Sequence, residues 1–288
     1  MPLFERYIGI DWSGAGVVTQ GVDIAVASAD RTHAPSIVPA PATGRLARWS
    51  RSTCEAWLRS ELASAAPTLV MVDAGFAYPS HAAHVMVGAT HWRELVAGIA
   101  ALHHTHGTAS SVAKTINARF PHGAPFRFND SRADARWHVR HLVPYYRQTE
   151  LLVPQAISEL YFGSGPAVGF HTITFLAALD DLLARRDRGE LGFDVWPFEI
   201  TTAPRGHVVV ECYPALCRAS LGAPKDPKLD PHENDAMTVC TWARSLDERD
   251  ALAPLFDVRE VPVGRDTRVT WQAQIAEEGW IFGVPFGP

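Results

Sequence analysis

Three short apolar segments are the clearest pattern in this chain, and each of them ends on an acidic residue. The segments are Tyr7–Asp11, Leu69–Asp73 and Val208–Glu211, and they are rich in β-branched residues. Such segments are typical of strands buried inside a mostly parallel sheet. Because ligands of these sheets bind beyond the carboxyl ends of the strands, the three acids are candidates for one shared site.

The rest of the first 80 residues predicts a hairpin, an edge strand and a helix. Residues 21–27 follow the first strand closely enough to be its antiparallel partner. A weaker strand is predicted near Ser36–Pro39, where prolines favour the edge of a sheet. Residues 51–65 repeat apolar positions at helical spacing, and the strand that ends at Asp73 follows them.

The middle of the chain has a different pattern, which predicts mainly helices. We expect helices at about residues 91–104, 108–119, 132–142 and 171–187. We interpret this region as a helical insertion within a single domain that spans the whole chain. The predicted parts are a core at about 1–80 and 205–250, the insertion at about 81–204 and a C-terminal extension at 251–288.

The order of these elements predicts an α/β fold with a mixed sheet. A hairpin followed by crossover strands is typical of the ribonuclease H-like sheet, in which antiparallel and parallel strands combine and helices flank them. An all-parallel dinucleotide-binding sheet fits the order less well. In the ribonuclease H-like order the first strand pairs in parallel with the fourth. The acids that end those two strands, Asp11 and Asp73, would then lie roughly 5 Å apart.

A late helix, predicted from about residue 231 to 246, begins with clear capping residues. Asp230 suits the N-cap, Pro231 the first helical position and Glu233 the reciprocal cap. We therefore interpret Glu233 as a capping residue and not as a member of a site.

Asp235 lies beyond that cap and on the apolar side of the same helix. Val239, Trp242 and Leu246 follow it at positions four, seven and eleven further on. A carboxylate on that side is costly unless it meets a donor or a metal ion. The strand-end acids could share a divalent cation with Asp235, and His232 could line the same edge.

Other roles stay open for the strand-end acids. Asp11 and Asp73 could instead stabilise the turns that follow their strands. Glu211 could pair with an arginine of the insertion.

Four segments of the chain, in this order, resemble one known family. The segments IGIDWSGAG, VDAGFAYP, VVECYPAL and HENDAMTVCTWA are similar to those of the DUF429 family of predicted ribonuclease H-like nucleases, and they cover about a third of the chain. The resemblance implies nuclease activity. It also implies the acidic set already reached from the strand ends and the helix, namely Asp11, Asp73, Glu211 and Asp235.

Such a set would support metal-dependent hydrolysis. Hard oxygen ligands favour Mg²⁺ or Mn²⁺ over Zn²⁺. Two such ions, roughly 3.5–4 Å apart, can activate water and stabilise the leaving oxygen of a phosphodiester. We expect Asp11 to bridge both ions and the other three carboxylates to complete their shells. Ser13, in the glycine turn after the first strand, and His232 are the predicted substrate contacts.

The charge balance restricts the kind of nucleic-acid surface that is expected. A net charge of −5 argues against a broad basic surface but leaves room for a local groove. The insertion offers arginines interleaved with aromatic residues, which suit phosphates and bases but also fit an ordinary solvent-exposed helix. These are Arg119, Arg127, Arg132, Arg136 and Arg140, with Phe126, Phe128 and Trp137. We expect a nucleic acid or nucleotide as substrate.

The cysteines and the hydropathy bear on location. None of the four cysteines forms a CxxC pair, so reduced buried thiols are expected. No segment approaches the roughly 18 apolar residues of a membrane helix. We therefore expect a cytoplasmic protein without a membrane partner.

Two further functions remain in competition with the nuclease hypothesis. The turn Asp11–Gly16 could cradle a phosphate through backbone amides, as in an actin-like ATP-dependent phosphotransferase. Such folds generally duplicate the core, and 288 residues leave little room for two copies. The other alternative is a ribonuclease H-like binding module without catalysis.

Overall fold

The computed structural model describes residues 2–13, 24–41, 48–120, 123–128, 143–153, 156–163, 167–258 and 271–285. Within them the strands are β1 Arg6–Asp11, β2 Ala25–Asp30, β3 Ser36–Ile37, β4 Thr68–Asp73, β5 Arg127–Phe128, β6 Tyr161–Phe162, β7 Phe193–Trp196 and β8 His207–Glu211. The helices are α1 Arg51–Leu62, α2 Ala82–Val87, α3 Trp92–His106, α4 Ala109–Ala118, α5 Gln148–Leu151, α6 Val168–Asp187, α7 Pro214–Leu221, α8 Pro231–Glu248 and α9 Trp271–Glu278, with a 3₁₀ turn at Ala253–Phe256.

Six of the strands form one mixed sheet in the order β3-β2-β1-β4-β8-β7, and β5 pairs with β6 separately. Strand β2 runs antiparallel to β1 and β3, whereas β1, β4, β8 and β7 are parallel neighbours. The predicted α/β class, the hairpin and the parallel pairing of the first and fourth strands are confirmed. Strand β7 was not predicted. It lies within the expected helical insertion and has only four residues, too few for a clear periodicity.

The sheet has two apolar faces, each covered by helices. On one face, Tyr7 and Met71 pack with Val239 and Trp242 of α8. We call this the α8 face. On the other face, alternate residues of the same strands pack against helices α3 and α6 of the insertion. We call this the α6 face. Because side chains of a strand alternate between faces, the register of each strand decides which face its last residue joins.

Helix α8 approaches β1 very closely at Gly9. A Cβ atom built on Gly9 would lie 2.3 Å from the carbonyl oxygen of Ala236 and 3.1 Å from the nitrogen of Cys240. Both are backbone atoms of α8, so a side chain at this position would push the helix off the sheet. Glycine at this strand position therefore fixes where the first two turns of α8, with His232 and Asp235, meet the strand ends.

We expect Gly9→Ala to lower the free energy of unfolding by about 1–3 kcal/mol, because it overpacks a backbone contact. Urea denaturation checks this. Gly192→Ala is the matched control, since a Cβ there meets no heavy atom within 4 Å. Equal stability of the two variants would contradict the close approach.

The remaining boundaries differ from the prediction in detail. Strand β2 begins at Ala25. Residues 21–23 of the predicted strand lie outside the described ranges, as does the helix predicted at 132–142. The capping box that begins α8 is present, with Asp230 Oδ1 accepting from Glu233 N at 2.8 Å.

The four cysteines are buried free thiols. In the described part of the chain, no helix has both the length and the apolar character to cross a membrane.

Candidate functional site

Asp11 and Asp73 lie side by side at the carboxyl ends of neighbouring parallel strands. They are partners in the register of β1 with β4, so their side chains leave the sheet on the same face, the α8 face. Neighbouring strands are roughly 4.8 Å apart, which brings the two carboxylates into one small region. Asp11 is 5% exposed. The expectation that these two acids share one edge is met.

The electrostatics of this pair are unfavourable. Burial raises the pKa of Asp73 well above its ordinary value, and Asp11, Asp235, Glu159 and Glu211 raise it further. Burial also raises the pKa of Asp11, although the hydrogen bond from His232 works in the opposite direction. Among the described residues, no hydrogen bond or ion pair reaches the Asp73 carboxylate. The pair therefore favours a shared proton or a bound cation over two unpaired negative charges.

His232 contacts Asp11 directly. Its Nδ1 atom lies 2.9 Å from Oδ2 of Asp11, and its side chain remains 40% exposed. The capping box at the start of α8 positions this ring over the end of β1. His232, a predicted substrate contact, is thus first of all a partner of Asp11. Ser13, the other predicted contact, is buried, and its carbonyl accepts from Arg51 Nη1 at 3.4 Å.

Asp235 lies on the expected side of α8 but is already engaged. Arg218 of α7 donates to Oδ1 of Asp235, and the two side chains are about a quarter exposed, at 23% and 25%. Asp235 is still near enough to raise the pKa values of both Asp11 and Asp73. It is therefore a neighbour of the carboxylate pair whose charge an arginine offsets.

Glu211 differs from the expectation because it leaves the sheet on the opposite face. Its register partner on β4 is Val72, one residue before Asp73, so Glu211 points to the α6 face. There Arg147 donates to both carboxylate oxygens, at 2.8 and 2.5 Å, and the backbone N–H of Phe76 donates at 2.9 Å. The alternative of an insertion arginine is thus realised, by an arginine outside the predicted basic stripe.

Arg147 is the centre of a buried cluster that the sequence did not reveal. Besides Glu211 it contacts Glu150 at 2.6 Å and Glu159 at 2.9 Å, and its side chain is 0% exposed. Burial works against its charge, but the three glutamates outweigh that cost and hold its pKa well above the ordinary value. Burial raises the pKa of Glu150 to about 7, although Arg147 lowers it. We call these four residues the Arg147 cluster.

Two cavities flank the carboxylate pair. The first, which we call the Asp73 cavity, has a volume of about 440 Å³ and lies between Asp73, Glu211 and His171. The second, of about 350 Å³, lies beside His232 and Trp49 at the edge formed by β2 and β3. A larger cavity of about 540 Å³ contains none of the predicted site residues. His171, which sequence reasoning missed, is mostly buried, and that burial lowers its pKa to about 4.

The donor set fits one divalent ion better than two. In the described ranges, no three His, Cys, Asp or Glu side chains are grouped so that they could hold a metal ion. The pair Asp11 and Asp73 remains, because arginines occupy Glu211 and Asp235. Mg²⁺ is usually bound by one or two carboxylates, with water and substrate phosphate completing its shell. A two-carboxylate site with excess negative charge fits that mode of binding.

Only part of the predicted arginine stripe lies within the described residues. Arg132, Arg136, Arg140 and Trp137 lie outside the described residues. Arg127 forms part of β5, and it donates a hydrogen bond to the Tyr145 side chain.

No family model, no curated protein and no solved structure matches this chain.

Proposed function

We propose that this protein is a phosphodiester hydrolase that uses one divalent cation, Mg²⁺ or Mn²⁺, held by Asp11 and Asp73. The observation that carries the proposal is the register pairing of these two acids at the carboxyl ends of adjacent parallel strands. Their pKa values are raised by burial and by further carboxylates, so a cation between them would relieve the repulsion.

Each side chain would have a distinct role. Asp11 and Asp73 would hold the ion, which when bound lowers the pKa of a water molecule and polarises the phosphoryl oxygen. His232 would fix the orientation of Asp11 through its 2.9 Å contact. Arg218 would keep Asp235 from joining the ion and would present positive charge beside an anionic substrate.

The finer fold and family assignments belong to the same proposal. The β1–β2 hairpin and the parallel neighbours β4 and β8 support a ribonuclease H-like sheet with β7 added at its edge. The resemblance to the DUF429 family stays a prediction, as does a single domain that spans the chain. We propose a nucleic acid or nucleotide as the substrate. The buried free thiols support a location in the cytoplasm.

A non-catalytic binding module is the second candidate. It is favoured by the two arginines that neutralise Glu211 and Asp235, because an active two-ion site would need both carboxylates. The actin-like phosphotransferase depends on the glycine turn after β1, and residues 14–23 lie outside the described ranges. No observation favours it over the other two.

Titration with Mn²⁺ tests the proposal. We expect Mn²⁺ in tenfold excess over its dissociation constant to raise the melting temperature of the wild type by about 3 °C or more. In Asp11→Asn the shift should vanish, together with Mn²⁺-dependent hydrolysis of bis(4-nitrophenyl) phosphate. Asp30→Asn is the matched control. Asp30 lies at the end of β2 that is remote from Asp11, where it pairs with Arg6 at the start of β1. A shift that persists in Asp11→Asn removes Asp11 from the site, and a shift without hydrolysis favours the binding module.

A further inference from the structure

The Asp73 cavity combines a strongly acidic side with an aliphatic side. Its acidic side is formed by four carboxylates, those of Asp73, Glu150, Glu159 and Glu211. Three of these are almost completely buried, with Glu150 at 4% exposure and both Glu159 and Glu211 at 3%. Its aliphatic side is formed by Ala156, Ile157, Val168 and Ile281.

The Arg147 cluster does not balance this negative charge. The guanidinium of Arg147 serves all three glutamates, so in the described part of the chain four carboxyl groups at this cavity face one buried cation. Among the described residues that line the cavity, none is a lysine or arginine. His171 stays uncharged because burial holds its pKa near 4. A polyanionic chain threaded into this cavity would be repelled by its walls.

Two polar side chains in the cavity wall have no hydrogen-bond partner among the described residues. Neither the Asp73 carboxylate nor the imidazole of His171 has a hydrogen bond to any described residue. The three glutamates, by contrast, are satisfied within the Arg147 cluster, so the acidic cluster alone would not make a site. The binding site depends instead on the carboxylate of Asp73, an acceptor without a described hydrogen-bond donor, which lies in a concave space of about 440 Å³.

We infer that the Asp73 cavity binds an organic cation, namely a primary ammonium group on an aliphatic chain. The ammonium would donate to Asp73 and to the neutral imidazole of His171, and the chain would lie against Ile157 and Val168. A bare metal ion would leave the aliphatic side unused, and a neutral apolar ligand would leave the carboxylates uncompensated.

This inference rests on the proposed function in one respect only, which is that the amine belongs to the substrate. The cavity begins at Asp73, one of the two proposed metal ligands, so a bound ammonium would lie beside the reacting phosphate. The proposed substrate class would then be narrowed to a nucleotide phosphodiester whose alcohol carries an amine, and a long polynucleotide would be excluded. The cavity would bind the amine and would take part in no chemical step.

Thermal shift with butane-1,4-diamine tests this, in EDTA so that no divalent ion contributes. We expect the diamine, in tenfold excess over its dissociation constant, to raise the melting temperature by about 3 °C or more. Butane-1,4-diol has the same length without charge and should give no shift. An equal shift with the diol would overturn the inference, because binding would then not depend on charge.

Variants of the aliphatic wall locate the bound amine. Ile157→Lys places an ammonium in the cavity and should weaken diamine binding at least tenfold, whereas Ile157→Met, of similar length, should retain it. Val168→Lys repeats the test from α6 in case the first variant fails to fold. Undiminished diamine binding in a folded lysine variant would place the amine elsewhere and overturn the inference.

The two proposals fail in distinguishable ways. If the diamine gives no shift while the Mn²⁺ shift and hydrolysis are intact, only the cavity inference is overturned. If the diamine binds and the lysine variant blocks it while no hydrolysis occurs, the cavity inference is supported. In that case the hydrolase proposal is the one that fails.

Discussion

Replacing Arg147 with methionine is expected to lower the free energy of unfolding by about 3–5 kcal/mol at neutral pH. The change removes the one guanidinium that contacts Glu150, Glu159 and Glu211, all of which are buried. Breaking such a cluster is costly because the remaining carboxylates stay in a region of low dielectric constant without a counter-charge. Urea denaturation at pH 8 measures the loss.

The control for this prediction is an arginine with an exposed partner. Arg93 pairs with Asp187 at 2.6 Å, and their side chains are 38% and 53% exposed. Such surface pairs contribute about 0–1 kcal/mol, so Arg93→Met should change stability far less. If the two variants lose similar amounts, Arg147 does not neutralise its neighbours as the contacts indicate.

The same variant should depend on pH in a defined direction. Burial raises the pKa values of Glu150 and Glu159, so below about pH 4 both are protonated in the folded chain and largely so in the unfolded chain, and the loss should be smallest there. Even with Arg147 present, burial raises the pKa of Glu150 to about 7. A folded pKa above the unfolded one means that the stability contributed by Glu150 is present at low pH and is lost as the pH rises towards 7.

The Asp11 and Asp73 pair was predictable because it depends on strand order alone. An apolar hairpin followed by a crossover makes the first and fourth strands parallel neighbours, and both end on an acid at the same register position. Glu211 was not predictable to the same degree. A shift of one residue between β4 and β8 moves a side chain to the other face, and no local pattern determines that shift.

Helix α8 shows a second limit of the sequence. Its apolar spacing correctly places Asp235 on the side that faces the sheet, and its cap was identified from Asp230 and Glu233. The partner of Asp235, however, comes from α7, and helix packing between separate elements leaves no trace in local spacing. Arg147 illustrates the same limit, because it lies 64 positions from Glu211 in the sequence.

Replacing Asp73 with asparagine should stabilise the metal-free protein while it abolishes metal-dependent activity. The variant removes a charge that burial and neighbouring carboxylates oppose, so we expect a gain of about 1–2 kcal/mol in the free energy of unfolding. Loss of a metal ligand should reduce Mn²⁺-dependent hydrolysis about 10²–10³-fold, because Lewis-acid catalysis contributes several kcal/mol. The measurements are urea denaturation in EDTA and hydrolysis of bis(4-nitrophenyl) phosphate.

The pH dependence of this gain separates electrostatic relief from a packing effect. Because the pKa of Asp73 is raised in the folded protein, its favourable contribution is present at low pH and declines as the pH rises above about 4. Asparagine does not titrate, so the gain should be larger at pH 8 than at pH 4. Asp187→Asn, at a residue 53% exposed, is the control and should leave both stability and hydrolysis nearly unchanged. A gain that is equal at both pH values would show that repulsion at Asp73 is not what destabilises the metal-free protein, and the electrostatic argument for a cation at this pair would fail with it.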